Sequence, residues 1–434
     1  MHEPDRLHAL DAVRGFALLM GIVLHATMSF LPGFPPGLWA IVDTSPSTAL
    51  GLVFFVTHIF RMALFFFIAG FFARMSFHRK GNRRFWVDRS KRILLPLIVG
   101  WMVLFPAIAV VWIWGLRKTF GDTMPEAPPG ASAPGAFPLT HLWFLYYLLM
   151  LDVVVVLGRH AVVALDRSGR IREAADRLVR ASVGSGAAAA LLALPLSLAL
   201  YFRSDWLVWF GIPTPDQTVI PQWIPLLGYG TALAFGWLVQ RQPDLLASWG
   251  RQWPGHLAVA TVATAVCLWT GGLRPSFTPI DPGFERLAAA LAYGVALWTW
   301  TFAFIGLALR FLSGESRARR YVADSSYWLY LVHLPIVAAI QVAVGHQPWH
   351  WSVKFPLILA SAFALLFLSY HYLVRFTFIG AVLNGRKLRP AGPRPDPPPT
   401  GAGRVSLGEP RLADAEPSDS LATLEGVHKR YGKT

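Results

Sequence analysis

Arg14 and His25 stand eleven residues apart inside an apolar stretch, residues 10–30, LDAVRGFALLMGIVLHATMSF. At 100° per residue that separation is three turns plus 20°. Both side chains therefore share one helix face, about 16 Å apart along the axis. A charge near the centre of a membrane helix costs about 2.5–3.5 kcal/mol on insertion scales, and a plain anchor has no use for one. Asp11, one turn below Arg14, is placed to pair with it. The structural alternative is an Arg–Asp clamp at the membrane surface with an incidental histidine. A second apolar stretch, THIFRMALFFFIAGFF, carries His58 and, one turn away on the same face, Arg61. An antiparallel hairpin of the two stretches brings His25, His58 and Arg61 around one cavity. A lone membrane histidine is more often an interhelical hydrogen-bonding partner. Two histidines and an arginine at matched depth favour a site or a proton pathway.

Five further groups carry weaker signals. Arg89 and Arg92 precede ILLPLIVGW and share a face at i, i+3. They read equally as a positive-inside anchor touching anionic head groups or as a grip on a phosphorylated cytoplasmic ligand, since guanidinium forks match phosphate oxygens. His141 and Trp143 open the stretch HLWFLYYLL, where they line the outer mouth of the cavity or belong to the interfacial aromatic belt. Tyr327, Tyr330 and His333 form an i, i+3, i+6 row ahead of Pro335, a point where the helix can kink. His371 and Arg375 repeat the i, i+4 pattern near the end of the apolar part. Trp206 and Trp209 read as glycan platforms or, more simply, as interface anchors. No HExxH motif and no metal-ligand spacing is present in the sequence, so no metal site is expected.

The elements that must hold these groups are membrane helices. The chain has 434 residues, 54% hydrophobic and 15% charged, with a mean hydropathy of +0.46. Soluble domains carry about 25% charged residues. Ten apolar spans are expected, near 10–31, 50–73, 93–115, 139–158, 183–202, 222–240, 256–272, 286–309, 326–345 and 354–380. Their connections alternate in Lys and Arg content, 20 on one side against 5 on the other. The positive-inside rule then places both ends of an all-α, polytopic membrane domain in the cytoplasm. The formal charge of +15 is accounted for by those loops and not by nucleic acid. Loop 159–182 alternates charge as an amphipathic cytoplasmic helix does. The single Cys267 excludes an internal disulfide framework. The first apolar stretch lacks a basic leader and a small-x-small cleavage site, so no cleavable signal peptide is expected. A membrane domain is expected over 1–384, a Pro/Gly-rich linker over 385–418, and a separate stretch at 419–434.

Taken together, LDAVRGFALLMGIVLHA, THIFRMALFFFIAGFF, the Arg89-x-x-Arg92 pair, HLWFLYYLL and SSYWLYLVHLPI resemble, in this order, the family-three membrane acyltransferases. The resemblance is to the branch containing the osmoregulated-glucan succinyltransferase and covers residues 6–380. It implies O-acyl transfer, acetyl or succinyl, from cytoplasmic acyl-CoA to a hydroxyl of a glycan or other envelope acceptor. It implies a multi-pass protein of the bacterial inner membrane with acyl-CoA as a donor substrate and no permanently bound cofactor. Arg14, His25 and the Arg89/Arg92 pair are the residues it carries over. On that basis His25 is expected to be the general base, because neutral imidazole accepts a hydroxyl proton near pH 7. Arg14 is expected to orient the donor and Arg89 and Arg92 to hold its phosphates. His58 and Arg61 are expected to orient His25 or to stabilise the oxyanion. His141, Trp143, Tyr330 and His333 are expected on the acceptor side. The rival reading is a proton-coupled transporter or flippase using the same groups as a relay. The last residues, LATLEGVHKRYGKT, resemble the first strand of an ABC-transporter ATPase domain, which makes a fused or associated ATPase a possible partner.

Overall fold

The computed structural model describes residues 3–123 and 135–385, with side chains from His8 onward. The linker from 386 and the ATPase-like stretch at 419–434 lie outside the described residues, as does most of the Pro/Gly-rich part of loop 116–138. Thirteen α-helices are present among the described residues, and no strand. They are α1 (Glu3–Thr27), α2 (Thr48–Lys80), α3 (Asn82–Arg89), α4 (Leu95–Phe120), α5 (Trp143–Leu165), α6 (Arg170–Ser185), α7 (Ala188–Phe202), α8 (Trp223–Val239), α9 (Leu246–Gly271), α10 (Phe284–Phe311), α11 (Arg317–Val344), α12 (Trp351–Ser369) and α13 (Phe378–Asn384).

The ten expected apolar spans are mostly helical, but the expected span 183–202 straddles the break between α6 and α7 and 354–380 runs over α12, a π-helical turn and α13. Among the described residues, seven helical stretches are long and apolar enough to cross a membrane: α1, α2, α3–α4, α5, α10, α11 and α12. The amphipathic α6 meets α7 at 106°, and α8 is an apolar helix of 17 residues. The last span is shorter than expected. α12 ends at Ser369, passes through a π-helical turn, Tyr370–Val374, and stops before the short α13.

Helices α1 and α2 sit at the centre. α1 packs on α2, α10 and α11; α2 packs on α1, α8 and α10. The α2 and α8 backbones approach closely, because a Cβ at Gly70 would strike the Leu233 carbonyl and one at Gly236 the Phe67 carbonyl. Small residues at such a crossing permit the van der Waals contact that holds membrane helices together. Ser47 caps α2 by accepting from the Leu50 N–H at 3.3 Å. The outward faces are apolar, as at Met102, Val103 and Val110 on α4, which suits a lipid surround.

Two readings of aromatic residues change. Trp206 and Trp209 are each 1% exposed, so they are neither glycan platforms nor interface anchors. Their indole N–H groups donate inward, from Trp206 to the Gly211 carbonyl and from Trp209 to those of Gly271 and Gly272. A buried indole needs such an acceptor. Trp143 and Tyr147 are likewise core residues and not part of an aromatic belt.

Candidate active site

His25 occupies the last turn of α1, which ends at Thr27 and passes into a 3₁₀ turn, Met28–Phe30. Its imidazole lies parallel to the Trp39 indole, with centroids 5.5 Å apart and planes 4° apart. On α11, His333 stands 5.2 Å from His25 between ring centroids. His141 stands 5.2 Å from His333 in an edge-on arrangement. His58 and Arg61, from α2, are near enough to act electrostatically on His25. Five of the expected site residues therefore converge, drawn from α1, α2, α11 and the entry to α5.

Gly21 lets Arg61 approach α1. A Cβ there would lie 2.7 Å from Arg61 Nη1, one turn before His25. Protein surrounds His25, His58 and Arg61, yet each keeps part of its surface accessible. Four buried polar atoms in this group make no hydrogen bond within the protein: His25 Nδ1, His58 Nδ1, Arg61 Nε and His333 Nε2. Buried polar atoms are normally satisfied, and a cluster of exceptions is a mark of function.

Backbone carbonyls set two of the tautomers. His333 Nδ1–H donates to the Tyr330 carbonyl at 2.6 Å, which leaves Nε2 as an acceptor. His141 Nε2–H donates to the Leu331 carbonyl at 2.8 Å, and the Tyr330 hydroxyl donates to the His141 carbonyl at 2.8 Å. Thr140, immediately before His141, has φ 51°, the left-handed region, and is alone in this among non-glycine residues described. A β-branched residue held there is strained, and such strain concentrates at functional sites.

The remaining expected residues lie elsewhere. Arg14 is far along α1, paired with Asp11 at 3.0 Å and resting 5.8 Å from the Phe72 ring centroid. Arg89 forms an ion pair at 3.0 Å with Asp152, which is 1% exposed, and covers the Phe85 ring at 4.8 Å. Arg92 pairs with Asp88 at 3.2 Å within a π-helical turn, Ser90–Leu94, and its carbonyl accepts from the Tyr327 hydroxyl. Such turns recur at functional sites. Trp143 stacks on Tyr229 at 5.6 Å, behind the histidines.

Several site residues were not found by sequence reasoning. Gln341, on α11, has its amide nitrogen within hydrogen-bond distance of the His25 and Ala26 carbonyls and of Ser29 Oγ. Its Oε1 accepts from Trp39 Nε1 at 2.9 Å. The isolated glutamine in an apolar span, VAAIQVAV, was a usable signal. Lys354 reads from sequence as an outer-loop charge. It is fully buried and donates to Asp43 Oδ1 at 2.8 Å, Thr44 Oγ1 at 3.1 Å and the Gly345 carbonyl at 3.0 Å. Burial pushes the Asp43 carboxyl above the usual carboxylate range, and the Lys354 hydrogen bond pulls it back down.

A family profile described as an acyltransferase domain matches residues 7–371. Among curated proteins, the chain is 25% identical over 333 residues to the glucans biosynthesis protein C of Salmonella paratyphi B, of Salmonella dublin and of Salmonella gallinarum. That alignment covers 76% of this chain and 82% of each relative. No solved structure matches the chain. The family match ends at 371, so the ATPase-like reading of 419–434 gains no support from it.

Proposed function

From the premise that this chain belongs to the acyltransferase-domain family matched over residues 7–371, we propose that it moves an acyl group from cytoplasmic acyl-CoA to a hydroxyl of a glycan acceptor. It is a multi-pass membrane protein and a transferase of groups other than amino-acyl groups. The observation that carries the mechanism is the meeting of the His25, His333 and His141 rings, with Arg61 brought against α1 at Gly21. The glycan class is supported by the name of the relatives, glucans biosynthesis protein C. The proposed setting is a bacterial inner membrane, crossed ten times with both ends cytoplasmic, as the 20-to-5 bias of basic residues favours.

In the proposed reaction the acceptor hydroxyl oxygen attacks the thioester carbonyl while His25 takes the hydroxyl proton. The Arg61 guanidinium faces the developing oxyanion, and His58 orients these groups. Collapse breaks the C–S bond, and the imidazolium returns its proton to the leaving thiolate. His333 Nε2 offers an acceptor for a second hydroxyl of the sugar, with His141, Tyr330 and Trp143 forming the wall behind. The donor enters from the Arg14 end, its pantetheine arm crossing the distance of about 16 Å between Arg14 and His25. Arg89 and Arg92 hold its phosphates with the guanidinium N–H groups that their carboxylate partners, Asp152 and Asp88, leave free. The donor is a substrate, and no permanently bound cofactor is invoked.

Ligand-induced stabilisation tests the donor. Acetyl-CoA, succinyl-CoA, free CoA and ATP are each added to the purified protein, and one acyl-CoA at 100 times its Kd is expected to stabilise it by about 2.7 kcal/mol. Arg89→Ala alone would strand the buried Asp152 carboxylate, so the matching variants are Arg92→Ala and Arg89→Gln with Asp152→Asn. Both are expected to lose the response while remaining folded. No response to any CoA species from folded protein would favour the transporter reading.

Gly21→Ala tests Arg61. The added Cβ meets the end of a long side chain, so the guanidinium moves and the helices stay in place. Turnover is expected to fall about tenfold, roughly 1.4 kcal/mol of barrier, with little change in Tm. Unchanged turnover would remove Arg61 from the reaction.

A further inference from the structure

A general base needs a fixed ring plane, and histidine bases usually obtain it from a hydrogen bond to the second ring nitrogen. His25 has no such bond, since its Nδ1 is buried without a partner. Its ring is held instead by the parallel face of Trp39, 5.5 Å away. Trp39 is itself backed edge-on by Trp112 at 5.1 Å and anchored through Nε1–H to Gln341 Oε1 at 2.9 Å. The Gln341 amide nitrogen faces the His25 carbonyl at 3.1 Å, the Ala26 carbonyl at 3.0 Å and Ser29 Oγ at 3.0 Å. Those two carbonyls belong to the last turn of α1, where no intrahelical N–H remains to satisfy them. One side chain therefore grips the backbone that carries the base and the indole that sets its ring plane. Gln341 is 1% exposed, and a buried amide of this kind is kept only where all its valences are used.

We propose that Gln341 is a positioning residue for the acyl-transfer base, acting on His25 through Trp39 and through the end of α1. The proposal rests on the assignment of His25 as base. Trp39 is then no acceptor platform in this arrangement: at 5% exposure it is the inner wall against which the imidazole is pressed. Misplacing a reacting group by about 1 Å costs on the order of 10²-fold in rate without altering how substrates bind.

The test is a kinetic cycle on the full-length enzyme in detergent, with rates expressed per mole of folded protein. Gln341→Met keeps the length and removes every hydrogen bond. Trp39→Ala removes the wall. Trp39→Phe keeps an aromatic face while removing the N–H and part of the indole bulk, so it guards against a variant that fails to fold. Gln341→Met is expected to lower kcat 10- to 100-fold with the donor KM unchanged, and Trp39→Phe is expected to lower it by a smaller factor. The double variant Gln341→Met/Trp39→Ala is expected to be no slower than the slower single, because the two act in series. A purely structural role would lower Tm and yield but leave kcat and its non-additivity untouched. Wild-type kcat in both Gln341→Met and Trp39→Phe, or fully additive losses in the cycle, would overturn the proposal. His25→Ala is measured alongside: activity retained there overturns the base assignment itself, whereas activity lost there and kept in Gln341→Met overturns only the positioning role.

Discussion

His25→Ala is expected to lower acyl transfer by about 10²–10⁴-fold, the usual contribution of a general base. The loss should appear in kcat, at saturating donor, because the proton is accepted only as the hydroxyl attacks. Donor affinity should be preserved. Arg14, Arg89 and Arg92 lie with Asp11, Asp152 and Asp88, away from the histidine cluster. Folding should also be preserved, since the His25 ring makes no hydrogen bond that its removal would break. Transfer of labelled acyl groups, measured beside the thermal shift with acyl-CoA, separates the two effects. Undiminished transfer in a folded, donor-binding variant would rule His25 out as the base.

Lys354→Met should be the most damaging single change to stability. The Lys354–Asp43 pair is fully buried on both sides, and removing one partner of such a pair typically costs 3–5 kcal/mol. The carboxylate left behind can escape only by taking up a proton. That sets the pH dependence. Burial already raises the Asp43 carboxyl, and losing the Lys354 hydrogen bond and charge raises it further. A carboxyl whose folded pKa lies above its unfolded value of about 3.9 adds stability below that value and loses it as pH rises toward the folded pKa. The deficit of Lys354→Met against wild type should therefore be small near pH 4 and grow toward pH 7. Thermal denaturation across that range measures it. Adding Asp43→Leu should recover much of the loss by replacing the stranded charge with apolar bulk. A deficit that does not change with pH would show that the cost lies in packing.

Much of this architecture is legible in the sequence because a bilayer makes apolar runs long and loop charges one-sided. The depths of His25, His58 and Arg61 followed from that alone, and these residues do meet. What escaped notice is tertiary. Trp39 lies in a loop with no Lys or Arg, and nothing local separates an indole that backs a histidine from one that sits at an interface. Lys354 falls at an expected outer turn, and its partner, Asp43, is more than three hundred positions away in the chain, so no local pattern marks it as buried. Trp206 and Trp209 turn inward onto acceptors that are backbone carbonyls, which no sequence pattern announces. Arg89 illustrates the converse. Its i, i+3 spacing with Arg92 was visible, but the buried Asp152 that occupies it comes from α5.

Helix α11 touches both ends of the reaction. Tyr327 holds the Arg92 carbonyl, Tyr330 and Leu331 fix His141, His333 meets His25, and Gln341 grips Trp39. A helix with its side chains has a radius of about 5–6 Å, so turning it by 10° shifts those side chains by roughly 1 Å, and it shifts all of them together. With the roles proposed for Arg92 and His25, donor grip and base alignment therefore cannot drift apart independently during evolution. A graft that brings a relative's loops to the His141 end of this scaffold, in the hope of a new acceptor, has to bring that relative's α11 as one piece, or the Arg92 end will be detuned by a change made at the far end of the same helix.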